Sequence, residues 1–437
     1  MEWWLILIII MCGTVLLFLI GLPVAFSFLL INIIGFYIFG GGEAGIRQLV
    51  LSIYTSVTKF TILPLPLFIL MGEVMFQSKV ADNMMDTLDK WIGRLPGRLS
   101  LLAVGGGSVF GTLSGSSMAG AAMLSSVLVP EMEKRGYKSQ MSLGPILGSG
   151  GLAIMIPPSV LGVMLAAVGR FSVGDFLVAI FIPGLLMAFC YALYIIVRCM
   201  LQPELAPSYE VTKISLKEKL FLTVRYILPL STIVFLVIGL IFLGVATPSE
   251  SAACGAFGCF VLAFLYGGLN WRVVKTSLSS TLNITVMVLM IFCGSGAFSQ
   301  ILGFTGATYA MVDAAASLQL PPYFILSAML FVLLIMGTFL EAMPIIMITL
   351  PIFIPIIKAL GFDPIWFGAM MLLTIEMGLT TPPFGLILFV VKGLAPEGVT
   401  MIDVYKAGIP FLLCDLIVLV ILLAFPQVAL WLPGLMH

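Results

Sequence analysis

Gly378-Leu379-Thr380-Thr381-Pro382-Pro383-Phe384-Gly385 decides the fold, because the chain has already run through a version of it at Gly150-Gly151-Leu152-Ala153-Ile154-Met155-Ile156-Pro157-Pro158-Ser159. Proline lacks the N–H that a continuing helix needs and suits the first turn of a new one, so each double proline ends one half-helix and starts another. Thr381 stands where it can cap the second restart. A plain proline kink is common in apolar helices, but two adjacent prolines after glycine, repeated in register, favour a true break. Outward from the prolines the register holds. Gly136 lies 21 positions before Pro157 and Gly361 lies 21 before Pro382, while Gly111-Thr112 answers Gly337-Thr338 and Ile182-Pro183 answers Ile409-Pro410.

The surroundings of these motifs are a membrane's. Of 437 residues 61% are hydrophobic and 9% charged, and the mean hydropathy is +1.21, which excludes an ordinary soluble domain. Uncharged runs at 3–42, 99–130, 139–169, 226–249 and 276–312 each reach the roughly 20 residues that cross a bilayer. The N-terminus carries Glu2 without a basic n-region, and no small-residue cleavage pattern precedes Gly21-Leu22-Pro23, so it reads as a retained span. Ten crossings and two re-entrant hairpins, with both termini outside, place sixteen of the twenty Lys and Arg on one face and leave Arg47, Lys59, Arg170 and Lys358 on the other. That asymmetry is the positive-inside pattern of a bacterial inner-membrane protein with periplasmic termini.

Two residue types narrow the chemistry further. All seven cysteines lie in apolar stretches without a CxxC pair and read as packing residues, with no disulfide framework or zinc site implied. The single histidine is His437, which removes Ser-His nucleophilic and H-E-x-x-H metal chemistry. An enzyme is not expected.

The organisation is an all-α polytopic protein of two inverted-topology repeats, with about ten spanning helices, two hairpins and two broken helices. Residues 1–201 form the first repeat, with a hairpin at about 97–136 and a broken helix at about 139–169. A cytoplasmic linker covers 202–225, with Pro203, Pro207 and several charges. Residues 226–437 form the second repeat, with a hairpin at about 319–360 and a broken helix at about 365–392. Segment 44–60 reads as a helix lying at the interface, answered by Arg272–Thr276 ahead of a span at 278–303, and 79–98 reads as a helical cytoplasmic connector.

Basic residues at both ends of 99–130 call for both ends in the cytoplasm, so this stretch dips in and returns with Leu113-Ser114-Gly115-Ser116-Ser117 at its tip; a single tilted span with a small-residue packing patch is the other reading. Its counterpart turns at Gly337-Thr338-Phe339-Leu340-Glu341-Ala342-Met343-Pro344. Backbone freed at these four breaks offers two kinds of ligand. Carbonyls ending the incoming half-helices, with the hydroxyls of Ser114, Ser116, Thr338 and Thr381, suit a hard alkali cation; N–H groups opening the outgoing half-helices suit an anion. Duplicated halves of this kind are how secondary transporters build a midplane site. Intramembrane carboxylates are costly enough to be functional candidates: Glu341 lends charge to a cation site or carries a proton, while Glu73 and Glu376 serve similarly or as hydrogen-bonded structural groups.

With Gly361-Phe362-Asp363-Pro364 added, these motifs resemble the large membrane subunit of the tripartite ATP-independent periplasmic (TRAP) transporters, along essentially the whole chain. The architecture is similar to that of the divalent anion/sodium symporters, whose Ser-Asn-Thr hairpin tips are replaced here by Ser116-Ser117-Met118 and Ala342-Met343-Pro344. The resemblance implies an elevator-type, sodium-driven uptake system for a small organic acid: sialic acid, a C4-dicarboxylate, a keto acid or a sugar acid. It implies a first sodium site at Ser114, Ser116, Gly151, Ile156 and Pro157, and a second at Thr338, Glu341, Gly378, Thr380 and Thr381. Substrate contacts fall to Ser116, Ser117, Ser159 and Thr381. The implied partners are a small membrane subunit of about four helices, a soluble periplasmic binding protein, the carboxylate and the lipid bilayer. Sodium is the only implied coupling ion; no organic cofactor and no nucleic acid are expected. A phosphate loop of the G-x-x-x-x-G-K-[ST] type is absent from the sequence, consistent with an ion gradient rather than ATP. A stand-alone sodium or proton antiporter, an anion channel and a structural membrane scaffold remain the alternatives.

Overall fold

The computed structural model describes residues 3–93, 95–114, 116–207, 215–317 and 320–436; within these, the side chains of 109–114 and a few others are outside the description. The first half runs α1 (Trp3–Leu19), α2 (Val24–Phe39), α3 (Glu43–Val57), α4 (Pro64–Gln77), α5 (Val80–Ile92), α6 (Arg98–Ser114), α7 (Ser117–Lys134), α8 (Ser139–Met155), α9 (Val160–Gly169) and α10 (Val173–Leu201). The second runs α11 (Leu216–Leu222), α12 (Leu228–Phe242), α13 (Pro248–Leu265), α14 (Trp271–Phe304), α15 (Ala307–Ser317), α16 (Pro322–Phe339), α17 (Ala342–Ala359), α18 (Pro364–Leu379), α19 (Leu386–Gly393) and α20 (Met401–Ala424). Among the described residues eight helices are long and apolar enough to cross a membrane, and α8 with α9, bent by 47° at their break, makes a ninth span. This is a polytopic, all-helical membrane protein.

Local chemistry sets the turns. Gly136 and Gly361, with φ of 76° and 77°, close α7 and α17 in the left-handed region that glycine enters without a Cβ penalty. Their hydrogen bonds match: Gly136 and Tyr137 donate to Glu133 and Met132 at 2.9 and 3.0 Å, and Gly361 and Phe362 to Lys358 and Ile357 at 3.1 and 3.0 Å. Thr247 with Glu250 opens α13, and Thr400 with Asp403 opens α20, each through a reciprocal capping box. The connector is helical, as its composition implies; Arg98 Nε donates to Asp89 at 2.7 Å and ties α5 to the base of α6.

Two segments differ from the sequence reading. The expected interfacial piece at Arg272–Thr276 is the opening of one unbroken 34-residue helix, α14. In the first half Pro64 and Pro66 interrupt the equivalent stretch and separate α3 from α4, whereas α14 contains no proline to stop it. The linker is shorter than expected, because α11 and a π-helical turn at Thr223–Ile227 feed directly into α12; residues 208–214 lie outside the described residues.

The helices fall into two groups. In one, α4 packs against α13 and α14, and α14 against α2 and α3, with Asn32 Nδ2 of α2 donating to the Gly294 carbonyl at 2.7 Å. In the other, α8 is surrounded by α6, α7, α10 and α20, and α18 packs against α16. The seam between the groups is formed where α4 meets α6 and α9 and where α14 meets α17.

Candidate functional site

Each double proline interrupts a helix, and both Pro157-Pro158 and Pro382-Pro383 are cis. The first incoming half-helix, α8, ends at Met155, and Ile156 is already extended. Ser159 restarts the chain by accepting from Gly162 N at 3.0 Å and is itself fully buried. The substrate role expected of Ser159 therefore competes with a capping role.

The second break is built differently. Thr381 Oγ1 donates to the Met377 carbonyl at 2.6 Å, and Thr380 Oγ1 to those of Met377 and Glu376 at 3.1 and 3.2 Å. Both hydroxyls close the end of α18. The expected cap on the restart is corrected accordingly: α19 begins only at Leu386, behind Gly385, with no side-chain cap. A threonine hydroxyl so close behind a helix end finds the i−4 carbonyl before any later N–H.

At the tips, Ser116 caps α7 by accepting from Ala119 N at 3.4 Å, and Glu341 occupies the same place before α17 without a side-chain cap. Gly115 of the first tip lies outside the described residues, and so does the side chain of Ser114, which was expected at the first site. Ser116 and Glu341 line one cavity of about 300 Å³, together with Val160 at the start of α9, Met343 of α17, and Glu73 and Phe76 of α4. Both hairpin tips thus face the other helix group across the seam. Glu73 is steadied by Gln77 Nε2 at 3.4 Å.

Behind the tips, backbone packs on backbone. A Cβ on Gly378 would stand 2.6 Å from Gly337 Cα, and one on Gly337 would stand 2.7 Å from Gly378 Cα. Thr338 follows directly, its Oγ1 donating to Ile335 at 2.7 Å. On the first tip's side, Ser117 Cβ lies 3.3 Å and Glu376 Oε1 2.8 Å from where a Cβ on Gly150 would be, and Gly151 likewise abuts the Glu376 Cγ and the Tyr191 hydroxyl. Glu376 is buried, with the Ser117 side chain as its nearby polar neighbour. Tyr191 donates to the equally buried Asp415 of α20.

The structure therefore brings Ser116 to Glu341, Ser117 to Gly150 and Glu376, and Gly337-Thr338 to Gly378. Of the residues expected at the sites it places Ser116 and Glu341 on the cavity wall, whereas Ser117, Gly151, Ile156, Pro157, Ser159, Thr338, Gly378, Thr380 and Thr381 lie off it. Asp415 was missed by the sequence reading, although it is the only acid between Lys406 and the C-terminus; an ionisable group alone in so long an apolar run was the available signal. The polar side chains on the cavity wall, Ser116, Glu73 and Glu341, all offer oxygen, beside the apolar Met123, Met287 and Met343.

The chain is similar to known membrane transporters along most of its length. The family model described as the tripartite ATP-independent periplasmic transporter, DctM component, matches residues 11–428. The C4-dicarboxylate TRAP transporter large permease protein DctM of Pseudomonas aeruginosa is 32% identical over 394 residues, covering 89% of this chain and 90% of that one. The ectoine TRAP transporter large permease protein TeaC of Halomonas elongata is 29% identical, covering 96% and 97%. Among solved structures, the Alcanivorax borkumensis YdaH transporter superposes with a TM-score of 0.64 over 89% of this chain and 88% of its own, at 16% identity, a likeness of fold.

Proposed function

The chain belongs to the tripartite ATP-independent periplasmic transporter family as its DctM component, the large permease, and from that premise we propose that it carries a small organic acid across the bacterial inner membrane together with sodium. One observation carries the proposal. The cavity shared by the two hairpin tips holds two carboxylates, Glu73 and Glu341, and no basic residue is among its lining residues. An organic anion in such a place meets like charge unless cations arrive with it. Coupling follows from electrostatics: sodium at the tips makes the site habitable for a carboxylate, and the pair moves as a unit.

Ser116 with the α8 break forms the first sodium site in this reading, and Thr338, Glu341 and the Gly378–Thr381 backbone form the second. The group carrying the hairpins slides against the group built on α4 and α14, in the manner of an elevator. Each sodium ion moving inward contributes roughly 2.3 kcal/mol per 100 mV before its concentration term.

The family works with a small membrane subunit and a periplasmic binding protein, and the described residues form helices of a membrane protein rather than a solute-binding domain. Reconstituted alone, this chain is expected to give little uptake, and addition of both partners to restore it; full uptake by the chain alone would make it a stand-alone symporter or antiporter. The inverted arrangement has its own test. Single cysteines at positions 210 and 320, in a cysteine-free background, are expected to react with an impermeant maleimide from opposite sides of the membrane, and labelling of both from the periplasm would contradict it.

A further inference from the structure

A second and larger cavity, of about 630 Å³, has the opposite charge. It opens where Pro64 and Pro66 separate α3 from α4, and its wall includes Lys59 and Thr61 from that break, Arg170 from the end of α9, and Gln300 from α14. Arg170 caps α9 in the left-handed conformation, with φ of 58°, which turns the chain sharply at the mouth of the cavity. Neither Lys59 nor Arg170 has an ion-pair partner among the described residues. The Lys59 ammonium lies 5.5 Å from the centre of the Phe292 ring. Burial first, and the nearby Arg170 charge second, hold Lys59 below the ordinary lysine range. The Gln300 Oε1, buried in the same wall, meets no donor; a half-turn of the amide would present its N–H groups to the cavity instead.

Two cations held together without a counter-charge each raise the cost of the other, and an anion between them relieves both. The cost is notable here, because Lys59 and Arg170 are two of only four basic residues that the charge asymmetry assigns to the outer face. They also sit on different helix groups, Lys59 beside α4 and Arg170 at the end of α9. The volume is that of a small-molecule pocket.

We propose that this cavity is an anion vestibule, where Lys59 and Arg170 together take the carboxylate group of the solute on the periplasmic side before it reaches the hairpin tips. The proposal rests on the reading of the protein as a carboxylate carrier. It differs from that reading in needing no sodium, because the vestibule supplies its own positive charge while the tip cavity is acidic. A solute carboxylate bridging the two cations would lie across the seam along which the groups slide.

The test uses Thr61→Cys in a cysteine-free version of the full chain, co-purified with its small membrane subunit, in sodium-free choline buffer of low ionic strength. Rates of reaction are measured with an anionic sulfonatoethyl and a cationic trimethylammonium-ethyl methanethiosulfonate, each relative to a free thiol. The anionic reagent is expected to be favoured at least tenfold. Lys59→Gln with Arg170→Gln should return the ratio to that of a free thiol, Lys59→Arg should keep it, and succinate should slow the anionic reagent only while both charges are present. In intact cells the reaction should come from the periplasmic side. A ratio equal to that of a free thiol, or no protection by succinate, would overturn the proposal. So would reaction from the cytoplasmic side, or loss of reaction when the small subunit is bound, which would show a subunit contact instead. Because no sodium and no uptake enter this assay, a failure of sodium coupling leaves its outcome untouched, and the reverse holds as well.

Discussion

Ser116 and Glu341 hold the same place in the two halves of the molecule, each standing before the outgoing helix of a hairpin, yet one offers a hydroxyl and the other a carboxylate. The contrast repeats at the breaks. Gly151 lies six positions before Pro157 and Glu376 six before Pro382, and in the fold the Glu376 side chain rests against the space that Gly150 and Gly151 leave open. The halves share a backbone plan, seen in Gly136 and Gly361, but their tips and breaks differ in chemistry: the first tip and break offer serine hydroxyls and bare backbone, while the second add the carboxyls of Glu341 and Glu376. The tip cavity draws on both halves, with Glu73 and Ser116 from the first and Glu341 from the second.

The severest way to break this comparison is to separate the second half's own elements. Gly378→Ala places a methyl 2.6 Å from Gly337 Cα, where backbone, not a flexible side chain, must yield, at a cost of about 1–3 kcal/mol or more. Loss of uptake is expected, and a variant that transports normally would show that α16 and α18 are not locked together. Exchanging the charge for its isostere comes next. If the Glu376 carboxyl is ionised when sodium binds and about 6 Å is taken as their separation, the attraction at an effective dielectric of about 20 is about 3 kcal/mol. Glu376→Gln is therefore expected to raise the half-saturating sodium concentration by about two powers of ten while the protein still folds, and unchanged sodium dependence would confine Glu376 to packing.

The first half's contribution is smaller, because a hydroxyl is one neutral ligand among several. Ser116→Ala is expected to raise the sodium requirement about tenfold, for a loss of about 1.4 kcal/mol, with less effect on the rate at saturating sodium. If instead substrate affinity fell and the sodium dependence stayed, the tip would be reading the anion. Thr338→Ala should give the weakest effect, about two- to threefold, since the second tip lacks serines and backbone oxygen dominates there.

The backbone plan was legible in the sequence because it is written in residues with few conformational options. Gly136, Gly361 and the two proline pairs restrict the chain wherever they stand, and the structure puts turns and breaks at each. Thr381 misled because its hydroxyl has two possible partners, a carbonyl behind it and an N–H ahead, and only the late start of α19 decides between them. The continuity of α14 was hidden by the repeat itself: expecting a copy of α3 obscured the absence of a second Pro64 and Pro66. Contacts such as Glu376 with Gly151, Tyr191 with Asp415, and Lys59 with Arg170 join residues distant in the chain. Sequence marks Glu376 as a costly carboxylate in an apolar stretch and Lys59 and Arg170 as outer-face charges, and the fold alone shows which groups they meet.

The central claim is that charge at the tips makes anion uptake depend on sodium, and one measurement addresses it most directly. Proteoliposomes holding this chain and its small membrane subunit, supplied with the cognate binding protein loaded with its labelled acid, are compared under an inward sodium gradient and with choline in place of sodium, at equal membrane potential. Uptake at least tenfold greater with sodium, and saturable in sodium, is the predicted result. Equal uptake in choline would contradict the account, because the solute would then cross the acidic tip cavity without the cations that the cavity was argued to require.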